Sequence, residues 1–403
     1  MVLDSLLYLS DGKLPSPLAD SIQITKMSEA FGQHLPHFEL VASGGWRSLF
    51  AGQMEQQFAT WYGVQSPFKL TRLPILGRAP AVFDPESYAP RGYIKAALAY
   101  ARWLKQYAAW RRWTHVVYTR TPFFVPLLLQ QRHPLILEYH EPLVSRAFEP
   151  SLWRHPQFLG MVTTGQELAQ GYQALGARPE HVCVQPNAAA AELFLPAQTQ
   201  AEARQTLTVA GDLSGELSGD RPILAYAGQL YDYKGIPLIL SLAARLPHCH
   251  FLLVGGTPED VNRIRSQAAT RQLTNVQLTG HVSQPQLPTY LYAADILLLP
   301  TSQQWEQSAV TSPLKLFDYM SVQRPIVAAH LPNIATILRD GHNGRLAEPD
   351  NVDAFIEAIA DLLNHPQQAQ DLARQAYAEV KQRTWTNRAQ QVIHFIEKRL
   401  KQA

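Results

Sequence analysis

The second half of the chain alternates short apolar segments with longer amphipathic ones, and this alternation restricts the fold more than any other feature. Segments typical of buried strands are residues 223–226, 250–254, 276–278, 296–299 and 326–328. Segments typical of helices are residues 236–246, 258–270, 284–293 and 352–363. Because strands that alternate with helices pair in parallel, we predict an α/β fold built on a parallel sheet.

The first half of the chain shows a looser version of the same pattern. Expected strands are residues 5–9, 38–42, 68–73, 116–118, 135–137, 160–163 and 182–184, and expected helices begin near residue 20 and cover 53–62 and 166–175. Between Leu195 and Arg221 the sequence changes to mostly Gln, Ala, Thr, Gly and Ser, which is typical of a linker. We therefore predict domains at 1–195 and 222–385, joined by a linker at 196–221, with a short helix as the alternative for part of the linker.

Composition excludes several classes of protein. The chain has 403 residues, of which 46% are hydrophobic and 17% are charged, so it is globular and long enough for two cores. Its net charge of +2 does not predict nucleic-acid binding, and no apolar segment is long enough to span a bilayer. The two cysteines, Cys183 and Cys249, have no metal-binding spacing and fit a reducing compartment. The first nine residues lack a basic region, so we expect no signal peptide and a cytoplasmic protein.

Residues 91–113 form an expected helix that is rich in both aromatic and basic residues and contains no acid. One interpretation is a helix that lies on a membrane surface, which would place the protein peripherally at the inner face of the membrane. The interpretation that we favour is a surface helix whose aromatic side chains pack inward and whose cations are solvated.

The segment Thr311 to Met320 has the pattern of a helix start that holds an anion. Ser312 is a good N-cap, and a proline such as Pro313 suits the first helical position. Lys315 then falls in the first turn, where a cation is unfavourable unless an anion lies between it and the helix amides. Asp318 follows on the same face, where it can accept hydrogen bonds from a ribose. The alternative is an ordinary surface helix in which Lys315 and Asp318 form an ion pair.

Other candidate residues follow the strands of the second half. In open parallel sheets, ligands bind beyond the carboxyl ends of the strands. This rule places Lys234, Gly255, His281, Val282 and Thr301 at the same edge as Ser312. Together they outline a pocket for a nucleotide diphosphate, in which the Lys234 ammonium meets the phosphates. Taken alone, Lys234 fits an ordinary surface lysine better than a ligand-binding one.

The order of these motifs resembles the retaining, metal-independent glycosyltransferases of family 4, which have the GT-B fold. The distinctive segments are Leu14-Pro15-Ser16-Pro17, Asp20-Ser21-Ile22-Gln23, Tyr139-His140-Glu141, Pro186-Asn187, Gly228 to Gly235, Gly280-His281-Val282, Ser312 to Met320 and Asp340 to Gly344. Each segment is weak evidence alone, and their common order is the stronger evidence. The resemblance implies two Rossmann-like parallel-sheet domains facing each other across a cleft, with the C-terminal helix, 386–403, packing back on the first domain.

The resemblance also implies roles for particular residues. Lys234 resembles the diphosphate-binding lysine, Asp318 the carboxylate that holds the ribose, and His140 the cleft histidine that contacts the donor sugar or orients the acceptor. A capping histidine at a strand end is the alternative for His140. The implied donor site comprises Gly228, Gln229, Lys234, Gly255, His281, Val282, Thr311, Ser312, Lys315 and Asp318, and the implied acceptor and phosphate loop comprises Pro15, Ser16, Pro17 and Ser21. We expect a nucleotide diphosphate sugar as donor, a glycan or lipid-linked acceptor, and no metal or cofactor.

The sequence departs from the family pattern in three places. Val310 stands eight residues before Asp318, where the family has a glutamate that contacts the donor sugar. Gln229 replaces the usual arginine, and Ala188 to Ala190 replace the usual Gly-Val-Asp. These departures leave two alternatives open, a noncatalytic scaffold or glycan-binding protein of the same fold and a sugar-nucleotide epimerase. A Rossmann oxidoreductase is disfavoured because the first strand is not followed by Gly-x-Gly-x-x-Gly.

Overall fold

The computed structural model describes residues 2–16, 19–44, 58–74, 116–142, 152–211 and 221–402. These residues form two compact units. The first unit contains residues 1–186 together with 385–403, and the second contains residues 187–384. Among the described residues, no helix combines the length and the apolar character that crossing a bilayer requires.

The first unit is built on a seven-stranded parallel sheet with the order β3-β2-β1-β4-β5-β6-β7. Its strands are β1 (Ser5–Lys13), β2 (His37–Gly44), β3 (Lys69–Pro74), β4 (Val116–Thr119), β5 (Leu135–Glu138), β6 (Phe158–Thr163) and β7 (Val182–Val184). Its helices include α1 (Ala19–His34), α2 (Val125–Gln130), α3 (Gln166–Ala174) and the C-terminal helix. Since β1 pairs with β2 on one side and with β4 on the other, the strand order reverses beside β1.

The core of the first unit follows from its continuous apolar strands. Every residue of β4, β5 and β6 is buried, as expected for parallel strands that are covered on both faces. The ring of Tyr118 lies 5.0 Å from that of Tyr8 and 5.3 Å from that of Phe31, so strand and helix pack through aromatic edges. The buried carboxylate of Glu138 enters this core with hydrogen-bond partners, among them Gln23 and Arg388.

The second unit is built on a six-stranded parallel sheet with the order β10-β9-β8-β11-β12-β13. Its strands are β8 (Ile223–Ala227), β9 (His250–Val254), β10 (Val276–Gly280), β11 (Ile296–Leu299), β12 (Ile326–Ala329) and β13 (Arg345–Ala347). Its helices are α4 (Gln200–Val209), α5 (Ile236–Arg245), α6 (Pro258–Thr270), α7 (Leu287–Ala293), α8 (Leu314–Ser321), α9 (Pro332–Ala335), α10 (Val352–Asn364) and α11 (Pro366–Val380). Here the strand order reverses between β8 and β11.

The predicted fold class is confirmed, since both halves are parallel α/β units. The boundary differs, because the first unit ends at Pro186 whereas the sequence placed the boundary after residue 195. Part of the predicted linker is the helix α4, which begins with a capping box between Thr199 and Glu202 and buries Ala203 and Leu207 in the core of the second unit. The alternative of a short helix in this segment is therefore confirmed, and its composition is polar because only one narrow face of it is buried. The last helix, α12 (Trp385–Leu400), belongs to the first unit.

Candidate functional site

The carboxyl ends of β8, β9 and β10 meet at one edge of the second sheet, where their loops are joined by backbone hydrogen bonds. The N–H of Gly228 donates to the carbonyl of Val254, and the N–H of Gly255 donates to the carbonyl of Gly280, both at 2.8 Å. Gly255 has a φ of +115°, and a Cβ there would overlap the carbonyl of Gly228. Glycine therefore lets these loops lie against one another. The predicted donor-site residues at this edge are Gly228, Gln229, Gly255, His281 and Val282.

Lys234 is held at this edge by a short turn. The turn Asp232–Lys234 is followed by Gly235, which has a φ of +89° and lies against the carbonyl of Pro300 at the end of β11. The Nζ of Lys234 lies 4.0 Å from the ring centroid of Trp305 and 5.1 Å from that of Tyr233. The two rings stack with their centroids 4.7 Å apart. The aromatic pair therefore holds the ammonium without neutralising it, and burial lowers the pKa of Lys234 to about 8.

Lys315 lies at the same edge, on the first turn of α8. Its Nζ is 3.8 Å from the ring centroid of Tyr226, in the space that a side chain at position 228 would need. Burial holds the pKa of Lys315 well below its usual value, and the positive charge of Lys234 lowers it further. Among the described residues, no carboxylate lies within 4 Å of either ammonium. The second unit thus brings together two partly buried lysines to which no carboxylate of the described residues is directly bonded.

The start of α8 differs from the prediction. The helix begins at Leu314 with Pro313 as its N-cap residue, and Ser312 is not the cap. Instead, the hydroxyl of Ser312 accepts from the backbone N–H of Asn187 at 3.1 Å, and its carbonyl accepts from the Asn187 side chain at 2.7 Å. The amides of Leu314 and Lys315 remain in the first turn, where a helix provides no acceptor for them. The predicted cap is therefore wrong, whereas binding of an anion at the first turn stays a prediction.

Three other contacts position this helix start. The Asn333 side chain donates to the carbonyl of Thr311, whose own hydroxyl donates to the carbonyl of Gln307 at 2.8 Å. The hydroxyl of Tyr319 accepts from the N–H of Ala227 at 2.8 Å and so ties α8 to the end of β8. Asp318 lies one turn after Lys315 and acts electrostatically on its ammonium. The structure thus places Lys315 beside Gly228, with Thr311, Ser312 and Asp318 on the same segment of chain, and the binding roles of these residues stay predictions.

Several residues of this edge were missed by the sequence analysis. Tyr226, Tyr233 and Trp305 surround the two ammonium groups, and Asn333 holds the loop before α8. A usable signal was present, because Tyr231 and Tyr233 flank Asp232 immediately before Lys234, and aromatic rings are common partners of an unpaired lysine.

His140 lies in the first unit, two residues after β5. Its Nε2 donates to Glu138 Oε1 at 2.8 Å, and its Nδ1 lies 3.2 Å from a guanidinium nitrogen of Arg120. Because arginine can only donate, Nδ1 must be the acceptor and the ring proton must be on Nε2. Burial and the charge of Arg120 lower the pKa of His140 to about 4, so the ring is neutral. Both ring nitrogens are therefore engaged within the protein, and a role for His140 in contacting a ligand stays a prediction.

The predicted phosphate and acceptor loop is described in part. The N–H of Ser16 donates to the hydroxyl of Tyr62 at 2.7 Å, and that hydroxyl donates to the carbonyl of Ser16 at 2.9 Å. Pro15 precedes this contact, and Ser21 is buried in the first turn of α1. Pro17 and the basic aromatic segment 91–113 lie outside the described residues, so their roles stay predictions.

Comparison with known sequences places the second unit in a family. Residues 221–365 match the family model described as Glycosyl transferases group 1. Alpha-D-kanosaminyltransferase of Streptomyces kanamyceticus is 24% identical over 161 residues, 39% of this chain and 40% of that protein. The putative teichuronic acid biosynthesis glycosyltransferase TuaH of Bacillus subtilis is 32% identical over 141 residues, 35% of this chain and 34% of that protein. The chain therefore spans two fifths or less of the length of these relatives.

Solved structures match nearly the whole chain. Sucrose-phosphate synthase of Thermosynechococcus elongatus has a TM-score of 0.73 at 17% identity and covers 99% of this chain and 100% of its own. The HepE protein of Anabaena, solved with UDP and glucose, has a TM-score of 0.69 at 17% identity and covers 98% of this chain and 99% of its own. These likenesses show that the fold is GT-B. The predicted resemblance is confirmed, with the family match lying in the second unit.

Proposed function

We propose that this protein transfers a sugar from a nucleotide diphosphate sugar to an acceptor hydroxyl with retention of configuration. The premise is that residues 221–365 match the glycosyl transferases group 1 model. The acceptor would be a glycan or a lipid-linked sugar. One observation carries the proposal, namely the two lysines at the carboxyl edge of the second sheet, neither of which is directly bonded to a carboxylate of the described residues. Such a pair is costly to keep in a fold unless an anion binds there.

The donor diphosphate fits this pair by charge and by hydrogen bonding. Two cations can neutralise two phosphate charges, and the first amides of α8 add the positive end of a helix dipole. Lys234 and Lys315 keep their ammonium groups over aromatic rings until the anion binds, so little reorganisation is needed. Asp318, on the same helix, would then accept hydrogen bonds from the ribose hydroxyls.

The mechanism follows from where charge develops. When the bond between sugar and phosphate breaks, negative charge accumulates on the diphosphate, and fixed cations stabilise that charge. The departing phosphate then takes the proton of the acceptor hydroxyl on the same face, so no separate base is needed. His140 would stay uncharged near pH 7 because of its low pKa, and it would have to give up its contact with Glu138 or Arg120 to bond a ligand. Since the lysines and helix amides supply the positive charge, we expect turnover to survive EDTA.

A mass-spectrometric screen of the purified chain against UDP-, GDP- and ADP-sugars, with and without simple sugar acceptors, tests this proposal. We expect turnover of at least one donor, and a loss of about 100-fold in kcat/KM for Lys234→Ala. Lys381→Ala is the matched control, because the Lys381 ammonium also lies over a ring, 4.4 Å from the centroid of Tyr377, but is exposed. Unchanged turnover in Lys234→Ala would refute the assignment.

A noncatalytic protein of the same fold is the second candidate, and Val310 in place of the family's glutamate is the observation that favours it. Tight binding of a nucleoside diphosphate without turnover of any donor would support this candidate over a transferase. A sugar-nucleotide epimerase would instead convert the donor without any acceptor.

A further inference from the structure

The first unit also contains a cation that is not bonded to a carboxylate of the described residues, Arg120, at the point where the strand order of the sheet reverses. Arg120 directly follows β4, and β4 pairs with β1, which pairs on its other side with β2. In open parallel sheets the carboxyl ends of the strands beside such a reversal border a crevice in which ligands bind. Arg120 therefore occupies a position at which this fold class binds ligands.

The guanidinium of Arg120 is fixed by two neutral partners. One terminal nitrogen donates to Gln23 Oε1 at 2.9 Å, and the other lies 3.2 Å from His140 Nδ1. Among the described residues, no carboxylate lies within 4 Å of Arg120, and no acceptor takes its Nε–H. The side chain is partly exposed, so a ligand can reach it. The Arg120 guanidinium is thus held in place by Gln23 and His140, and some of its N–H groups have no acceptor among the described residues.

The buried carboxylate of Glu138 already accepts four hydrogen bonds. Glu138 Oε1 accepts from Arg388 at 2.6 Å, from His140 at 2.8 Å and from Gln23 at 2.9 Å, while Oε2 accepts from the hydroxyl of Tyr118 at 2.5 Å. Glu138 and Arg388 are both buried and balance each other's charge. His140 is neutral because both of its nitrogens are used. Arg120 is therefore not directly bonded to Glu138 or to any other carboxylate of the described residues, although it acts electrostatically on Glu138 and Asp11.

Two further carboxylates face this region. Asp11, at the end of β1, accepts from the hydroxyl of Thr121 at 2.8 Å, and burial raises its pKa. Asp20 is exposed, and its carboxylate accepts from the N–H of Ser21 at 2.7 Å. Neither lies within 4 Å of the guanidinium, so neither pairs with it directly.

We propose that Arg120 binds an oxyanion, the phosphate or carboxylate group of a ligand, at the reversal point of the first sheet. A planar guanidinium that is already oriented suits the two oxygens of such a group. His140 and Gln23 are then positioning residues that orient the fork, and Glu138 orients both of them. The site does not depend on the lysines of the second unit, so it stands or falls separately from the proposed function.

The test is a titration of the full chain carrying Lys234→Ala and Lys315→Ala, which removes the cations of the second unit. Inorganic phosphate, acetate and glucose are the three probes, and binding is followed by the ring-nitrogen NMR signals of ¹⁵N-labelled histidine, in which His140 reports directly on its Arg120 contact. We expect phosphate or acetate, but not glucose, to shift the His140 signal with saturation. Whichever of phosphate and acetate saturates the signal at the lower concentration identifies the class of oxyanion.

Arg120→Gln should weaken that binding at least tenfold, and Arg154→Gln, which removes an exposed arginine of the same unit, should leave it unchanged. Arg120→Lys keeps the charge but loses the fork, so it should bind phosphate more weakly than the parent, and it serves as the decisive variant if Arg120→Gln does not fold. Thermal unfolding by circular dichroism checks the fold of each. Parent-like phosphate binding in Arg120→Gln or in Arg120→Lys, or saturation by glucose instead of the anions, would overturn the proposal.

Discussion

Replacing Lys234 by methionine should stabilise the unliganded protein while removing its affinity for a nucleoside diphosphate. The pKa of Lys234 is lowered from 10.5 to about 8 in the folded chain. At about 1.4 kcal/mol per unit, the charged lysine then costs the fold about 3 kcal/mol. The contact with Trp305 returns about 0.5–2 kcal/mol, so methionine should raise the free energy of unfolding by about 1–3 kcal/mol at pH 7.

The pH dependence of this gain has a definite sign. A lysine whose pKa is lower in the folded state than in the unfolded state costs stability at every pH below the folded value, and the cost disappears as the pH rises toward 10.5. The gain from Lys234→Met should therefore be complete at pH 7, smaller at pH 9 and absent near pH 10.5.

The assay is urea unfolding of the full chain followed by circular dichroism at pH 7 and pH 9, paired with calorimetric titration of UDP, GDP and ADP at pH 7. Lys381→Met is the control. Because Lys381 is exposed, the free energy of unfolding of this variant should differ from that of the parent by less than about 0.5 kcal/mol. A Lys234→Met variant that is less stable than the parent at pH 7, or that binds the parent's nucleotide equally well, would refute the reasoning.

Further predictions concern the same edge. Nucleoside diphosphate affinity should fall as the pH rises above 8, because Lys234 then loses its proton in the free protein; Lys234→Arg should make this fall shallower in a titration at pH 7 to 9.5, and the remaining fall should come from Lys315, whose pKa is also lowered. Trp305→Leu should weaken nucleotide binding by about tenfold, and Trp305→Phe, which keeps an aromatic face under the ammonium, should recover most of it in calorimetry. Gly235→Ala should destabilise the chain by more than about 2 kcal/mol in urea unfolding, since a Cβ there meets Pro300, whereas Gly341→Ala, also at positive φ but in open space, should cost less; equal costs would contradict the close-packing argument.

Most of the fold could be predicted from the sequence, because the alternation of strands and helices is a local property. Each central strand is an apolar run, such as 296–299, and each helix has an apolar face of helical period. The domain boundary could not be predicted in this way. Whether helix α4 is a linker or part of the second unit depends on Ala203 and Leu207 reaching a distant core, which composition does not reveal.

In the candidate site, too, local features could be predicted from the sequence and contacts between distant segments could not. Lys234 and Lys315 follow from rules about strand ends and helix starts, and the structure places both at one edge. The cap at Ser312 was wrong because its hydroxyl is taken by Asn187, which is 125 residues away in the chain. The contacts of His140 with Arg120 were likewise missed, since they join the ends of two different strands. Side-chain pairings between distant segments leave no local signal.

The central claim is that Lys234 and Lys315 bind the diphosphate of a nucleotide, and calorimetric titration of nucleoside diphosphates against the matching monophosphates tests it most directly. For at least one of the uridine, guanosine and adenosine pairs, we expect the diphosphate to bind the native chain at least about tenfold more tightly, and Lys381→Ala to keep that preference. The variant with both Lys234→Ala and Lys315→Ala should lose it. Equal binding of diphosphate and monophosphate by the native chain, or an undiminished preference in the double variant, would contradict the account.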